Sequence, residues 1–141
     1  MSDPYRLQRF MSAQDQRGTY QRAVAELRGG RKTTHWMWFV FPQVTGLGSS
    51  AMAQEYALSG LDEARAYLAH PVLGPRLREC AGIVAAAGGE SAEDILGYVD
   101  ALKLRSSMTL FAAAAPDEQV FPAVLARYFG GERDEATLSR L

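Results

Sequence analysis

The segment HWMWFVFPQ, residues 35–43, constrains the fold more than any other part of this sequence. It contains both tryptophans of the chain and two of its six phenylalanines. Large apolar side chains at this density must be buried, because burial of each one contributes roughly 1.5–3 kcal/mol. The polar residues at the two ends, His35 and Gln43, are less expected in a core. We therefore predict that this segment forms part of the core and also one wall of a pocket.

The composition predicts one soluble globular domain spanning residues 1–141. Apolar residues make up 48% and charged residues 22% of the 141, enough for a sizeable core. The first residues lack the apolar run of a secretory signal, and no stretch approaches the roughly 18 apolar residues of a membrane helix. A single cysteine, Cys80, leaves no internal disulfide and no multi-cysteine zinc site. We expect a cytoplasmic protein without membrane contact, metal or cofactor, and with Cys80 as a buried, unreactive thiol.

The charges are unevenly distributed along the chain. Residues 1–35 contain seven Lys/Arg and three Asp/Glu, whereas residues 53–100 contain three and eight. Differently charged solvent faces of helices explain this asymmetry. A nucleic-acid-binding surface needs a denser basic stripe, so we do not expect nucleic acid as a partner.

Helical signals occupy most of the chain. The aromatic and β-branched content of residues 36–41 favours a strand, but a lone strand has no partner elsewhere in the sequence. The fold class predicted is therefore all-α or mainly α, a compact multihelical domain in which residues 36–41 are helical or irregular. Glycine pairs are expected to end three helices, at residues 29–30, 88–89 and 130–131. The predicted helix starts are Asp3, Thr19, Ser49 or Ser50, Asp62, Pro75, Ser91, Val99, Val120 and Asp134.

The turn TGLGSS, residues 45–50, is one candidate for ligand binding. Its backbone N–H groups, at Gly46, Gly48 and Ser49, precede a predicted helix and suit a phosphate or carboxylate. It lacks the third glycine of a dinucleotide fingerprint and the lysine of a Walker loop. The alternative is a flexible turn that only caps the helix.

The aromatic segment offers a second candidate. His35 is the best candidate for a catalytic acid or base, because histidine is the residue type best suited to proton transfer at physiological pH. Trp36 and Trp38 have rings on which a base or cation can stack. The alternative is that His35 is structural and either tryptophan is wholly core. His70, which precedes a proline, is interpreted as the end of its helix.

A polar run inside an otherwise apolar helix gives a third candidate. Lys103 or Arg105 is suited to an anion, with a hydroxyl of the run bonding its oxygens; Ser107 shares one helix face with Lys103. The alternative is close packing of small side chains, with Asp100 and Lys103 paired at the surface. The run comprises Asp100, Lys103, Arg105, Ser106, Ser107 and Thr109.

Three motifs together resemble a bacterial single-domain family of unknown function, DUF1810, whose members are often labelled calpastatin-like. The motifs are HWMWFVFPQ followed by GLG, EARAYLAHPVLG at residues 63–74, and KLRSSMTLF at residues 103–111. The resemblance implies a small, mainly helical protein and assigns no activity or catalytic residue. Eukaryotic calpastatin is long, polar and disordered, so the label does not suit this aromatic-rich chain. A looser resemblance, through residues 41–43, links the chain to helical proteins of ADP-ribose metabolism.

Three functions remain open from the sequence. The first is a pocket for a small anionic or nucleotide-like ligand near residues 35–43. It predicts that Trp36 and Trp38 line a concavity with Lys103 and Ser107. The alternative is a protein-interaction or regulatory module without catalysis, which predicts a flat exposed apolar patch. The third is a hydrolase acting on an ADP-ribose-like substrate. Whether the protein is an enzyme, and its oligomeric state, are not settled by the sequence.

Overall fold

The computed structural model describes residues 3–87 and 91–141. Over these residues the protein consists of helices joined by turns and loops. The predicted all-α fold is confirmed, since the β pairing within the described residues amounts to one bridge between Val44 and Leu58. A 3₁₀ turn at Gln16–Gly18 separates the first two helices. The helices are α1 Gln8–Asp15, α2 Thr19–Arg28, α3 Met37–Val40, α4 Ala51–Glu55, α5 Leu61–Ala69, α6 Leu73–Ala86, α7 Ala92–Leu96, α8 Tyr98–Ala114, α9 Val120–Phe129 and α10 Glu135–Leu138.

Three of the predicted helix starts are capped as expected. The side chains of Ser50, Ser91 and Asp134 each accept a hydrogen bond from the backbone N–H three residues further on, at 3.1, 3.0 and 3.2 Å. Such a bond satisfies one of the unpaired donors at a helix N-terminus. These short helices, α4, α7 and α10, therefore begin where a local side chain supplies the missing acceptor.

Other helix starts were predicted wrongly. The carboxylate of Asp3 accepts the N–H groups of Leu7 and Gln8, so it holds a turn and α1 begins only at Gln8. Helix α5 begins at Leu61 behind Gly60, which places Asp62 inside its first turn.

The α5–α6 junction differs from the prediction in a similar way. Helix α6 begins two residues before Pro75, at Leu73. His70 follows α5 as predicted, and its Nδ1 also accepts the N–H groups of Val72 and Leu73 at 3.1 Å each. Its ring therefore caps the start of α6. The glycine pair at residues 88–89, predicted to end this helix, lies outside the described residues.

Helix α8 runs through the middle of the molecule, and α5, α7, α9 and α10 pack around it. A row of aromatic rings crosses the core from α1 to α9. Ring centroids lie 5.1 Å apart for Phe10 and Tyr67, 5.6 Å for Tyr67 and Phe111, and 5.7 Å for Phe111 and Phe121. These four side chains are fully buried. Within residues 3–87 and 91–141, no helix has the length and apolarity needed to cross a bilayer.

The long side chain of Arg9 in α1 fixes the loop that precedes α5. Its guanidinium donates to the carbonyls of Glu55 and Ala57 at 2.8 and 3.0 Å, and to the Glu63 carboxylate at 3.0 Å. Glu63 is 4% exposed and also accepts the N–H of Ser59. The acid pair at residues 62–63 is therefore not explained by the helix dipole alone, because Glu63 belongs to a buried ion pair.

The aromatic segment is helical over Met37–Val40, a single turn too short to satisfy its own carbonyl groups. The buried side chain of Gln14 supplies a hydrogen-bond donor for the Phe39 carbonyl. Gln14 Nε2 donates to the Phe39 carbonyl at 2.7 Å, and the Tyr67 hydroxyl donates to the same oxygen at 3.3 Å. On its other side, Gln14 Oε1 accepts from Arg76 at 3.2 Å. One buried amide thus joins α1, α3 and α6.

We expect Gln14→Leu to lower the free energy of unfolding by about 1–3 kcal/mol, the cost of leaving buried polar groups unpaired. Urea denaturation followed by circular dichroism measures this change. The matched control is Gln16→Leu, because the Gln16 side chain is exposed and makes no hydrogen bond within the described chain. Equal stability of the two variants would contradict the assigned role of Gln14.

Candidate functional site

The carboxylate of Glu26 in α2 holds the residues that immediately precede the aromatic turn. Glu26 accepts hydrogen bonds from the N–H groups of Thr33 and Thr34 at 2.8 and 3.0 Å, and from the Thr34 hydroxyl at 2.6 Å. It also accepts from the indole Nε1 of Trp36 at 3.0 Å. Partial burial alone would raise the pKa of Glu26, but these donors outweigh it and lower the pKa to about 2.

The same contacts separate the roles of the two tryptophans. Trp36 is fully buried, with its indole N–H on Glu26, so its ring offers no surface to a ligand. The expectation that Trp36 lines a pocket is therefore corrected. Trp38, two residues further along the helical turn, is half-buried and packs at the edge of the core. Trp38 is the tryptophan that a ligand can reach.

Two lysines cover the tryptophans and share one carboxylate. The ammonium of Lys32 lies 5.2 Å from the Trp36 ring centroid, and that of Lys103 lies 5.2 Å from the Trp38 ring centroid. Asp100 lies between them, 3.0 Å from Lys32 Nζ and 3.6 Å from Lys103 Nζ. The predicted pairing of Asp100 with Lys103 is thus present. Because two ammonium groups share one carboxylate, the group retains one net positive charge.

A cleft of about 290 Å³ lies between the glycine turn and α8, and we call it the α8 cleft. It brings together three of the predicted site residues, Gln43, Gly48 and Lys103. Ser106 of the predicted polar run, and Asp134, predicted only as a helix start, contribute further polar groups. Its apolar walls are formed by Leu47, Ala53, Val99, Leu102 and Ala136.

Asp134 gives the α8 cleft an acidic end. Its Oδ2 accepts from the hydroxyls of Ser106 and Thr137 at 2.8 and 2.5 Å and from the Thr137 N–H. Its Oδ1 accepts no hydrogen bond within the described residues. Partial burial would raise the pKa of Asp134, but the Thr137 and Ser106 donors and the nearby Arg105 lower it overall. Asp134 is therefore ionised near neutral pH, with one oxygen available.

The carboxamide of Gln43 is the third polar group of the α8 cleft. The Gln43 carbonyl accepts the N–H of Leu58 at 2.9 Å, which fixes the backbone beside the Val44–Leu58 bridge. No described residue bonds the Gln43 side chain, which is half-buried. The amide is thus positioned by its backbone and has free donors and acceptors.

The remaining predicted residues of the polar run have structural partners. Arg105 donates to the carbonyls of Glu132 and Arg133 at 3.2 and 2.8 Å, and so fixes the segment before α10. Ser107 is fully buried, and its hydroxyl has no hydrogen-bond partner within the described chain. Because Ser107 is fully buried, its expected ligand contact is corrected. Arg105 is half-buried and does not line the α8 cleft, so its ligand contact stays a prediction.

The glycine turn is shaped by packing. Gly46 has φ +94°, and a Cβ there would lie 2.9 Å from Nε of Arg140. The Nη2 of the same arginine donates to the Gly46 carbonyl. Ser49 is exposed, and its carbonyl accepts from Gln54. The helix that follows has five residues, so its dipole is too short to argue for an anion site.

His35, the predicted candidate for catalysis, and Cys80, predicted to be unreactive, both lie outside the α8 cleft. His35 is exposed, makes no side-chain hydrogen bond within the described residues, and does not line the cleft. Burial raises the pKa of the Cys80 thiol to about 12, in keeping with a buried, unreactive cysteine. Across the described ranges, no three His, Cys, Asp or Glu side chains are grouped closely enough to hold a metal ion.

Comparison with known proteins relates the chain to one family. The sequence model described as "Protein of unknown function (DUF1810)" matches residues 4–141. A solved structure, the conserved hypothetical protein Rv1873 from Mycobacterium tuberculosis, is 55% identical in sequence. The match covers 99% of this chain and 98% of that one, with a TM-score of 0.96. The search of curated proteins gave no match.

We expect the stability contributed by Glu26 to depend on pH with a definite sign. Its folded-state pKa, about 2, lies below the ordinary value of 4.5, so the contribution is present above pH 4.5 and is lost as the pH falls towards 2. Glu26→Gln should destabilise the protein at pH 7 and flatten the decline of stability between about pH 5 and pH 2. Thermal denaturation over this range measures the effect.

The control for this prediction is Glu135→Gln, which removes an exposed carboxyl that accepts no side-chain hydrogen bond in the described structure. This variant should follow the parent curve. A Glu26→Gln variant with the parent's full acid sensitivity would refute the role given to the Glu26 carboxylate.

Proposed function

The chain belongs to the DUF1810 family, and we propose that it binds a small zwitterionic carboxylate in the α8 cleft. An amino acid with an apolar side chain is the simplest molecule of this class. The observation that carries the proposal is the presence of one ammonium, Lys103, and one partly free carboxylate, Asp134, in the lining of a single cleft with apolar walls.

The charges support a ligand with both signs. Asp100 is shared by Lys32 and Lys103, so a positive charge is left over at the Lys103 end of the cleft. Oδ1 of Asp134 supplies an acceptor at the other end. A ligand carboxylate pairs with Lys103, and a ligand ammonium pairs with Asp134. The free amide of Gln43 is suited to bind either polar group, because it can donate and accept.

The dimensions of the cleft support a small ligand. Pockets for drug-sized molecules have volumes of roughly 300–1,000 Å³, and the α8 cleft, at about 290 Å³, lies at the lower limit. This volume favours an amino-acid-sized molecule over a nucleotide or ADP-ribose. The side chains of Leu47, Val99 and Leu102 provide the apolar wall for an aliphatic group. The proposal is thus narrower than the small anionic or nucleotide-like ligand predicted from the sequence.

The proposed activity is binding without catalysis. His35, the side chain best suited to acid–base chemistry, lies outside the cleft lining. Of the groups that do line it, Lys103 is paired with Asp100, and Asp134 is occupied in capping α10. These contacts hold the charges in fixed positions, which favours recognition of a ligand over proton transfer.

We expect leucine to change the fluorescence of Trp38 and to raise the melting temperature. Leucinamide, which lacks the carboxylate, and N-acetylleucine, which lacks the ammonium, should each bind at least about tenfold more weakly, since a charge-assisted hydrogen bond contributes about 1.5–3 kcal/mol. Because Trp36 is buried, a change in iodide quenching on binding reports on Trp38.

Two variants separate the two ends of the ligand. Lys103→Met keeps an aliphatic chain on Trp38 and should abolish the preference for leucine over leucinamide. Asp134→Asn keeps the helix cap, because Asn caps as well as Asp, and should abolish the preference for leucine over N-acetylleucine. Arg31→Ala, an exposed basic residue that does not line the cleft, is the control and should bind as the parent does. No response to leucine or to other apolar amino acids at millimolar concentration would overturn the proposal.

A further inference from the structure

The first turn of α8 leaves large apolar side chains in solvent. Tyr98, Val99 and Leu102 are 65%, 62% and 47% exposed, and we call these three residues the α8 patch. Their spacing of one and four residues places them on one side of the helix. Beyond this turn α8 is almost entirely buried, from Leu104 to Ala114. Three large apolar side chains exposed side by side are characteristic of an interaction site.

The α8 patch has an apolar hollow beside it. A cleft of about 200 Å³ is lined by Tyr98 and Leu102 of the patch together with Ala92, Ala101 and Phe129. The exposed Tyr98 ring therefore stands next to a hollow lined by apolar side chains. A protruding group and a receiving hollow on the same surface can each fit the other when two copies are related by a two-fold axis.

The charges on the two sides of the patch are opposite. Glu93 lines the 200 Å³ cleft, and Lys103 lines the α8 cleft, while Leu102 belongs to both linings and so lies between them. Glu93 makes no ion pair within the described residues, and Lys103 belongs to the group with one positive charge in excess. An occupant of this surface must therefore carry a basic group, an apolar centre and an acidic group, in the reverse order.

A second copy of this chain has that arrangement. A two-fold axis can be placed beside Leu102, at right angles to the line from Glu93 to Lys103. Each Glu93 then faces the Lys103 of the other copy. A parallel arrangement would instead set like charges against each other, which is unfavourable. We propose that the α8 patch is the contact surface of a weak two-fold homodimer of this protein, with the α8 helices antiparallel.

Analytical ultracentrifugation from about 10 μM to about 1 mM tests the proposal, because a patch of three side chains supports only a weak, concentration-dependent dimer. The parent chain should pass from monomer to dimer over this range. Tyr98→Lys should raise the dissociation constant of the dimer at least tenfold. Since Tyr98 does not line the α8 cleft, leucine binding should be unchanged at protein concentrations where the parent is monomeric; in the dimer, Val99, Leu102 and Lys103 of the cleft lining are covered. Glu93→Lys should weaken the dimer, whereas Asp94→Lys, the same change of charge at an exposed neighbour outside both clefts, should not.

Cross-linking tests the position of the axis. Leu102→Cys should form a disulfide-linked dimer on mild oxidation, because two copies of residue 102 lie beside the axis. Met52→Cys, at another exposed apolar position, is the control and should form no disulfide-linked dimer; the native Cys80 is buried and does not interfere. A parent chain that stays monomeric to 1 mM, a dimer insensitive to Tyr98→Lys, or equal cross-linking of the two cysteine variants would each overturn the proposal.

Discussion

The structure depends on satisfying the backbone of one apolar helical turn that lies inside the core. Residues 37–40 are too few to pair their own carbonyl groups, yet the aromatic side chains around them force the turn into the interior. Gln14 and Tyr67 supply hydrogen bonds to the Phe39 carbonyl, and Glu26 supplies an acceptor for the Trp36 indole and the preceding amides. These polar contacts hold Trp36 in the core and leave Trp38 half-buried at the edge of the core.

For function, the consequence is that the two neighbouring tryptophans differ in their exposure to solvent. Trp36 is held in the core by Glu26, while Trp38 lies half-buried beneath Lys103. Asp100 links the lysines that cover the two rings, so the position of α8 is tied to that of the aromatic segment. Asp134 accepts a hydrogen bond from Ser106, so it is attached to the same helix, α8, that carries Lys103. These contacts position Lys103 and Asp134, the two charged residues of the cleft lining, relative to α8.

Much of the fold was predictable because its signals are local. Ser50, Ser91 and Asp134 cap their helices through bonds to an amide three residues away, and the lack of a partner strand argued correctly against a strand at residues 36–41. The errors arose where distant contacts decide the outcome. The acid pair at residues 62–63 does lie in the first turn of α5, but the burial of Glu63 is decided by its ion pair with Arg9, 54 residues earlier.

The candidate site was predictable only in part for the same reason. Sequence patterns identified Gln43, Gly48 and Lys103, but the partners that hold Trp36 in the core and direct Arg105 to the segment before α10 lie 10 and 28 residues away. The importance of Asp134 was indicated by its capping position before Thr137, although nothing local shows that it faces α8. His35 and the remaining glycine-turn residues keep their predicted roles as untested hypotheses.

The central claim is that the α8 cleft recognises both charges of a small amino carboxylate. An NMR titration of the ¹⁵N-labelled protein with leucine tests it most directly. The account predicts that the side-chain amide of Gln43 and the backbone amides of Gly48, Asp134 and Ala136 shift together and saturate with one dissociation constant. Shifts confined to residues outside the α8 cleft, or an unchanged spectrum at millimolar leucine, would contradict the claim.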